Sequence, residues 1–536
     1  MSSTVPRRTA LRGVAAALVV GAPAGSLAAC SFTAGSADEG TDGDGSTPAE
    51  AHRLTVVEGD AAAVIERGTE ASVAASRALL SEATAVVVVA SDAVDGGTSV
   101  ATALGVPLLV WGPETAAELD RLGTRTVVRV ASPERNTAAS TTAASPRSPT
   151  STSGTTADTV APSPVPDDLG DREVVDVAAG AAPEVEGLPL TPPSGRVVAL
   201  SREGRDAPAA VEATLSAVGA TGLVTDAADV RLAGDARTSL RESPETVVFG
   251  VTRGLGPVKN FEQRVRTVRV APELPGGGFL PFPQRRMVAL YGHPETAGLG
   301  MLGEQPAEQA VTRVSQLTEE YAALGDDEFV PAFELIATVA SAGPGDDGQY
   351  SRRTDIDVLE PWVDAAGDAG VYVVLDLQPG RTDFLTQAQA YEALLLRPYV
   401  GLALDPEWRL RPDEVHLRQI GSVDIDEVNE VGAWLAALVR DNDLPPKVLT
   451  LHQFNLSMIR GRERLDTGID EIQWLLHADG QGSQRDKQTT WAALRVDLPD
   501  GVWLGWKNFE DEDSPMLTPA QTLAQVQPTP YFISYQ

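Results

Sequence analysis

Eight short apolar segments follow one another along the last part of the chain, over about 250 residues. The stretches between them place apolar residues at three- and four-residue steps, as in Pro306–Ala323, which is the pattern of an amphipathic helix. Eight strands that alternate with seven helices predict a (β/α)8 TIM-type barrel over residues 285–536, with a doubly wound open sheet as the alternative. The predicted strands are Met287–Tyr291, Val330–Thr338, Val371–Asp376, Val400–Asp405, Val448–His452, Ile472–His477, Val502–Lys507 and Tyr531–Ser534.

Two shorter regions, 52–131 and 196–272, carry the same alternation of strands and helices. The run Ala85–Ala90 in the first region is β-branched and apolar, which is typical of a strand buried on both faces. The fold class is therefore α/β, with one or two small parallel modules before the barrel. The other strands predicted here are Val106–Trp111, Thr126–Val130, Arg196–Leu200, Gly222–Thr225 and Thr246–Gly250.

Two polar segments separate these regions. Residues 31–51 consist largely of Gly, Ser, Thr and Asp, which predicts a flexible tether. Residues 132–195 are rich in Ser, Thr and Pro, a composition that cannot build a core and that predicts a disordered linker.

The first thirty residues have the pattern of an export signal. Arg7 and Arg8 precede the apolar run Val14–Val20, which is too short to span a bilayer. This order predicts a bacterial signal peptide over residues 1–30, of the twin-arginine type, with Sec export as the alternative. The ending Leu27-Ala28-Ala29-Cys30 resembles the lipobox of bacterial lipoproteins, with a plain secretion signal as the alternative. The resemblance implies acylation of Cys30, for example with palmitate, and a lipid-anchored protein at the extracellular face of the membrane, within the cell wall.

Charge and cysteine content exclude several classes of function. The chain has 42 Lys and Arg residues against 75 Asp and Glu residues, a formal net charge of −33. So acidic a chain is not expected to adsorb to nucleic acid or to an anionic bilayer through its bulk charge. A single cysteine excludes a disulfide network and a Cys-rich zinc site. We predict no cofactor.

The predicted strand ends carry the candidate chemistry, since function in such barrels lies at the carboxyl ends of the strands. Asp405 and Glu407 follow the fourth strand two residues apart, so that both carboxylates face one mouth. Neighbouring carboxylates separate into an acid and an anion, which is what glycoside hydrolysis requires. We predict Glu407 as the proton donor, Asp405 or Asp376 as the assisting carboxylate, and Glu334 as a second catalytic carboxylate. The alternative is that Asp405 caps the next loop or pairs with Lys507.

A further set of side chains at the strand ends is predicted to bind substrate. Aromatic rings there suit stacking on sugars, and amides and cations suit sugar hydroxyls. These residues are Lys507, Asn508, His293, His452, Gln378, Gln453, Trp408, Trp506 and Tyr535.

Three resemblances add to this interpretation. The segments Glu66–Ala74 and AVVVVASDAVDGGTSVATALGVPLLVWG resemble one type 2 cell wall-binding repeat, which implies an anionic wall polymer as partner. Asp405 and Glu407 are similar to the strand-four Asp-x-Glu of the bacterial and phage muramidases, in which the Glu is the acid. The C-terminal part as a whole resembles uncharacterised actinobacterial lipoproteins that carry LDLQPG, LALDPEW, LHQF, HADGQG, GWKNF and ISYQ.

The predicted function is that of an exported lipoprotein that binds a cell-envelope glycan, and hydrolysis of that glycan by the carboxylates at the barrel mouth is a further prediction. A non-enzymatic cell wall-binding lipoprotein is the first alternative. The second is a metal-dependent hydrolase, with His452, His477 and either Asp405 or Asp479 as ligands.

Overall fold

The computed structural model describes residues 51–58, 62–64, 70–132, 163–178, 181, 183–193, 195–202, 207–251 and 253–536. The predicted signal peptide with Cys30, nearly all of the predicted tether and much of the predicted linker lie outside the described residues. Within them, no helix is both long and apolar enough to cross a membrane.

The N-terminal part of the described chain is built from short strands and helices. The strands are β1 (Leu54–Val56), β2 (Ala62–Val64), β3 (Leu80–Ala83), β4 (Ala85–Val89), β5 (Leu108–Val110), β6 (Thr126–Val130), β7 (Glu173–Val177), β8 (Val197–Arg202), β9 (Thr221–Thr225) and β10 (Val247–Gly250). The helices are α1 (Ala71–Leu79), α2 (Val94–Leu104), α3 (Thr115–Arg121), α4 (Ala209–Ala217), α5 (Gly234–Glu242) and α6 (Val258–Val270).

These strands form two parallel four-stranded sheets, and β2 of the first region pairs into the second sheet. The first sheet has the order β5-β4-β6-β7 and the second the order β2-β10-β8-β9. The early strand β2 thus pairs with β10 of the second module, while the later strand β7 pairs with β6 of the first. A short antiparallel pair, β1 and β3, lies beside them. The two modules therefore form one interlocked unit.

The strand β7 corrects one expectation from composition. Glu173–Val177 lies inside the region 132–195, which composition predicts to be disordered, yet it pairs in parallel along the whole of β6. Its three Val residues, at 174, 175 and 177, supply the β-branched side chains that favour a strand. The linker prediction therefore fails for these residues.

The two modules share apolar packing. Val86–Val89 of β4 are fully buried, as the β-branched pattern predicts. Val88 belongs to the same core cluster as Val211 of α4 and Phe249 of β10. A buried hydrogen bond from the Leu108 amide to Thr214 Oγ1, 3.3 Å long, also joins the two modules.

The C-terminal part, residues 285–536, is described throughout. Its strands are β11 (Arg286–Gly292), β12 (Phe329–Ala340), β13 (Ser351–Arg353), β14 (Tyr372–Leu377), β15 (Val400–Leu404), β16 (Val423–Asp424), β17 (Lys447–Gln453), β18 (Ile459–Arg460), β19 (Ile472–Ala478), β20 (Trp503–Asn508) and β21 (Phe532–Tyr535). Its α-helices are α7 (Ala307–Ala322), α8 (Ile356–Asp368), α9 (Phe384–Ala390), α10 (Glu392–Leu395), α11 (Ile425–Asp441), α12 (Gln484–Leu494) and α13 (Pro519–Gln525).

Eight of these strands close into a parallel barrel, which confirms the predicted TIM-type fold. Around the barrel the order is β11, β12, β14, β15, β17, β19, β20 and β21, and β21 pairs with β11 to close it. The extra strand β13 pairs antiparallel with the extended end of β12. The carboxyl ends of all eight barrel strands therefore meet at one mouth.

A buried charge cluster attaches the second module to the barrel just before β19. Arg231 and Arg264 both bind Asp470, at 3.0 and 2.5 Å, and both also bind Asp229. Asp470 lies two residues before β19, at the amino ends of the barrel strands. The modules thus contact the face of the barrel opposite its mouth.

Candidate functional site

A cavity of about 570 Å³ opens at the carboxyl ends of the barrel strands. Its volume lies in the range usual for small-molecule sites. Side chains from all eight strands or from the loops that follow them line it. They are Tyr291, Leu299, Ile336, Val339, Ala340, Gln378, Asp405, Glu407, Trp408, Phe454, Asp479, Gly480, Gln481, Thr490, Lys507, Phe509 and Gln536.

Asp405 and Glu407 lie at the end of β15, where the strand passes into a short 3-10 turn, Pro406–Trp408. The Asp405 carboxylate accepts a 3.3 Å hydrogen bond from the Glu407 amide, so it caps this turn as well as lining the cavity. Burial, together with the Glu407 carboxylate, raises the pKa of Asp405 well above its usual range. Burial and the Asp479 charge raise the pKa of Glu407 to about 7. The two groups are thus biased toward the protonated state.

His452 joins two carboxylates through its two ring nitrogens. Its Nε2 lies 2.7 Å from Oε1 of Glu334, and its Nδ1 lies 2.8 Å from Oδ2 of Asp479. Burial acts to lower the pKa of His452, but Glu334 and Asp479 raise it well above the usual value. The ring is therefore a buried cation that bridges the barrel interior to the cavity wall.

Glu334 lies inside the barrel and does not line the cavity. Its Oε1 also lies 3.4 Å from Nδ1 of His477, whose Nε2 is 3.1 Å from the Ser534 hydroxyl. Burial opposes ionisation, but His477 and His452 hold the pKa of Glu334 well below its usual range. His452 therefore links Glu334 to Asp479 in the cavity lining.

Lys507 places a cation in the cavity lining. Its Nζ lies 3.1 Å from Oδ1 of Asp479 and 3.4 Å from the centre of the Tyr291 ring. Burial acts to raise the pKa of Asp479, yet Lys507 and His452 together hold it well below the usual range. Asp479 is accordingly an anion fixed between two cations.

Asp376 and Gln378 project into the barrel from the end of β14. The Tyr291 hydroxyl donates a 2.9 Å hydrogen bond to Asp376, and Gln378 donates one of 3.2 Å to that same hydroxyl. Burial raises the pKa of Asp376 to about 6, while the His452 charge acts to lower it. Gln378, but not Asp376, belongs to the cavity lining.

Other residues that the sequence singles out lie away from the cavity. Trp506 packs against Trp491 outside the barrel wall, and its indole donates to Asn508. The Tyr535 hydroxyl lies 2.6 Å from that of Tyr321 on α7.

Two further predicted substrate ligands are occupied by hydrogen bonds within the protein. Gln453 accepts a hydrogen bond from Arg462 and donates to the Asn455 carbonyl. His293 binds the Thr354 hydroxyl through its Nε2 at 2.8 Å. Neither side chain lines the cavity.

Asp479 is the cavity carboxylate that the sequence prediction did not include among the catalytic groups. It follows His477 at the end of β19, in the sequence HADGQG. Its two-residue spacing from the inward-facing His477 is the signal that places it on the inner face of the strand.

In the part of the chain that the structure describes, two groups of side chains have the donor atoms of a metal site, namely Glu334, His452 and His477, and Asp405, His452 and Asp479. The potential ligand atoms of each group lie within 4.8 Å of one another. However, both nitrogens of His452 already face carboxylate oxygens at hydrogen-bond distance. A metal ion at either position would displace one of these hydrogen bonds, so the arrangement fits a protonated imidazole better.

No protein-family model matches this chain, and a search of curated proteins finds no significant match.

Proposed function

We propose that the barrel hydrolyses a glycosidic bond of a cell-envelope glycan, with Glu407 as the proton donor and Asp479 as the anionic carboxylate. The observation that carries this proposal is the contrast between two carboxyl groups of one cavity. Glu407 has no cation at ion-pair distance among the described residues, whereas Asp479 lies 3.1 Å from Lys507 and 2.8 Å from His452. Environments that push two acid groups apart in pKa are the requirement for this chemistry.

The proposed chemistry follows from those two charge states. Near neutral pH, Glu407 still holds a proton that it donates to the oxygen of the leaving sugar. The Asp479 anion stabilises the positive charge that develops on the sugar ring as the glycosidic C–O bond breaks. A water molecule then adds to the anomeric carbon and gives its proton to the Glu407 carboxylate, which restores the acid. Asp405 caps the turn that carries Glu407 and so holds that turn in place, and Asp376 lies on the neighbouring strand β14. In this scheme Glu334 and His452 position Asp479 and do not touch substrate.

The remaining lining suits a sugar. Trp408, Phe454 and Phe509 offer aromatic faces, while Gln378, Gln481 and Thr490 offer neutral hydrogen-bonding groups. Sugars present alternating apolar C–H faces and hydroxyls, which match such a mixture. The lining therefore favours an uncharged polyol ring at this position.

The cellular setting is part of the proposal. The predicted twin-arginine signal in residues 1–30 would direct export of the protein. A lipid on Cys30 would then hold it at the outer face of the membrane, within the cell wall. The resemblance of 52–131 to a cell wall-binding repeat supports a wall polymer as partner.

The proposal is tested by the release of reducing ends from purified bacterial cell wall. We expect release by the full-length protein, a loss of at least 100-fold in Glu407→Gln and Asp479→Asn, and no loss in Glu430→Gln, which changes an exposed residue of α11. Equal release by the wild type and Glu407→Gln would exclude the proposed acid. Retention on the wall without release by any form would instead favour the non-enzymatic wall-binding lipoprotein.

A further inference from the structure

A second cavity, of about 350 Å³, lies directly beside the first and shares Glu407 and Trp408 with it. The loop between β15 and α11 forms its wall. The lining consists of Glu407, Trp408, His416, Leu417, Arg418, Gln419 and Ile420. Glu407 therefore has a ligand-sized space on each side.

The loop that forms this wall is fixed in place. The Gly421 amide donates a 2.8 Å hydrogen bond to the Glu407 carbonyl, and Ser422 donates one of 3.0 Å to the Arg409 carbonyl. A Cβ at position 421 would lie 2.4 Å from the Glu407 carbonyl oxygen, so only glycine fits there. His416 Nε2 lies 2.9 Å from the Tyr350 carbonyl. Two of these hydrogen bonds therefore fix the loop to the backbone of Glu407, the proposed proton donor, and of Arg409 close after it.

The wall combines exposed apolar groups with a cation. The side chains of Leu417 and Ile420 are 87% and 46% exposed, beside the Trp408 ring. Arg418 is also exposed and has no carboxylate within ion-pair distance among the described residues. The carboxylates of the same loop, Asp413 and Glu414, do not line the cavity. An exposed guanidinium group in the cavity lining can bind a carboxylate or a phosphate of a ligand through paired hydrogen bonds.

We propose that a glycan chain crosses Glu407 with sugar units in both cavities, and that the unit in the second cavity carries an acidic substituent bound by Arg418. Only one part of this inference, that the glycan is cut between the two cavities, rests on the proposed function. The binding it describes does not depend on catalysis. The substrate class is then an acidic polysaccharide that is cut within the chain.

The test measures binding separately from cleavage. Full-length Glu407→Gln is titrated by calorimetry with soluble wall glycan fragments, and the measurement is repeated after adding Arg418→Gln. We expect affinity to fall five- to tenfold, whereas adding Arg411→Gln, an exposed change in the same loop outside the cavity, leaves it unchanged. Adding Leu417→Ser should weaken binding of every fragment, charged or neutral.

Chemical treatment of the fragments identifies the acidic group. Amidation of carboxylates should abolish the effect of Arg418→Gln if the group is a carboxylate, and hydrofluoric acid treatment should do so if it is a phosphate. Equal affinity with and without Arg418→Gln for untreated fragments would overturn the inference. Arg418-dependent binding without release of reducing ends by the wild type would preserve this inference and refute the hydrolase proposal. Equal release of reducing ends with and without Arg418→Gln would support the hydrolase proposal and refute this inference.

Discussion

The Nδ1 atom of His452 lies 2.8 Å from Oδ2 of Asp479, and this contact ties a carboxylate of the cavity wall to a charge inside the barrel. The other nitrogen of the ring faces Glu334 at 2.7 Å. All three groups are largely or wholly buried, so each charge depends on its neighbour for compensation.

Breaking this chain should destabilise the barrel. His452→Gln and Glu334→Gln should each lower the free energy of unfolding by about 3 kcal/mol, because each leaves a buried charge without its partner. In the double variant the loss should be smaller than the sum, since both changes remove the same pair. Urea unfolding of the four proteins at pH 7 measures this coupling, and strictly additive losses would contradict it.

Glu407→Gln should stabilise the protein at neutral pH and above. The folded-state pKa of Glu407 is about 7, above its ordinary value, so the folded state holds a proton that the unfolded state has lost. The wild type therefore loses stability as pH rises from about 4.5 to 7, by up to about 3 kcal/mol, and the variant lacks this loss. The measurement is the difference in unfolding free energy between the two proteins from pH 4 to 8. If this difference in unfolding free energy does not change with pH, the pKa of Glu407 is not raised in the folded state.

Lys507→Met should move the pH profile of wall hydrolysis upward. The Lys507 charge helps to hold down the pKa of both Asp479 and Glu407, so its removal raises both. Activity should then begin at higher pH, because Asp479 must ionise, and should persist to higher pH, because Glu407 keeps its proton longer. The matched control is Lys259→Met, an exposed change on α6. An unshifted profile, or a shift to lower pH, would contradict the charge assignment.

Asp470→Asn should loosen the attachment of the α/β modules to the barrel. Asp470 compensates both Arg231 and Arg264 in a buried cluster, and its loss should cost about 3 to 5 kcal/mol. We expect the modules to unfold at lower urea concentration than the barrel, as a separate transition. The control is Asp443→Asn, which breaks the exposed pair with Arg266 and should cost about 1 kcal/mol or less. A single transition at the wild-type midpoint would show that the cluster does not hold the modules.

The sequence predicts the barrel well because each of its strands is a short apolar run that ends in a polar residue. It predicts the inward-facing residues less well, because several of the proposed ligands have the wrong strand parity. Lys507 faces inward, so its neighbours Trp506 and Asn508 must face outward. The same alternation separates His452 from Gln453. Strand parity, applied to each rim residue, would have removed these candidates.

Two other features lie beyond what the sequence pattern can predict. The pairing of β2 with β10 joins segments far apart in the chain, and no local pattern encodes such a partner. The charge states of Glu407 and Asp479 depend on which side chains of other strands come near them. Spacing marks Asp405 and Glu407 as residues of the barrel mouth, and the spacing of Asp479 from His477 does the same. Only the neighbouring Lys507 and His452 distinguish Asp479 as the anion.

The pairing of β2 into the second sheet and of β7 into the first also affects the order of folding during synthesis. Multidomain chains usually fold from the N-terminus as they leave the ribosome. Here β2 has no neighbour until β10, residues Val247–Gly250, has been translated, and the first sheet lacks its edge until β7 has emerged. The strand β2 therefore stays unpaired until the second module has been translated. A nascent chain interrupted before residue 250 would present unpaired strand edges to the chaperones around it.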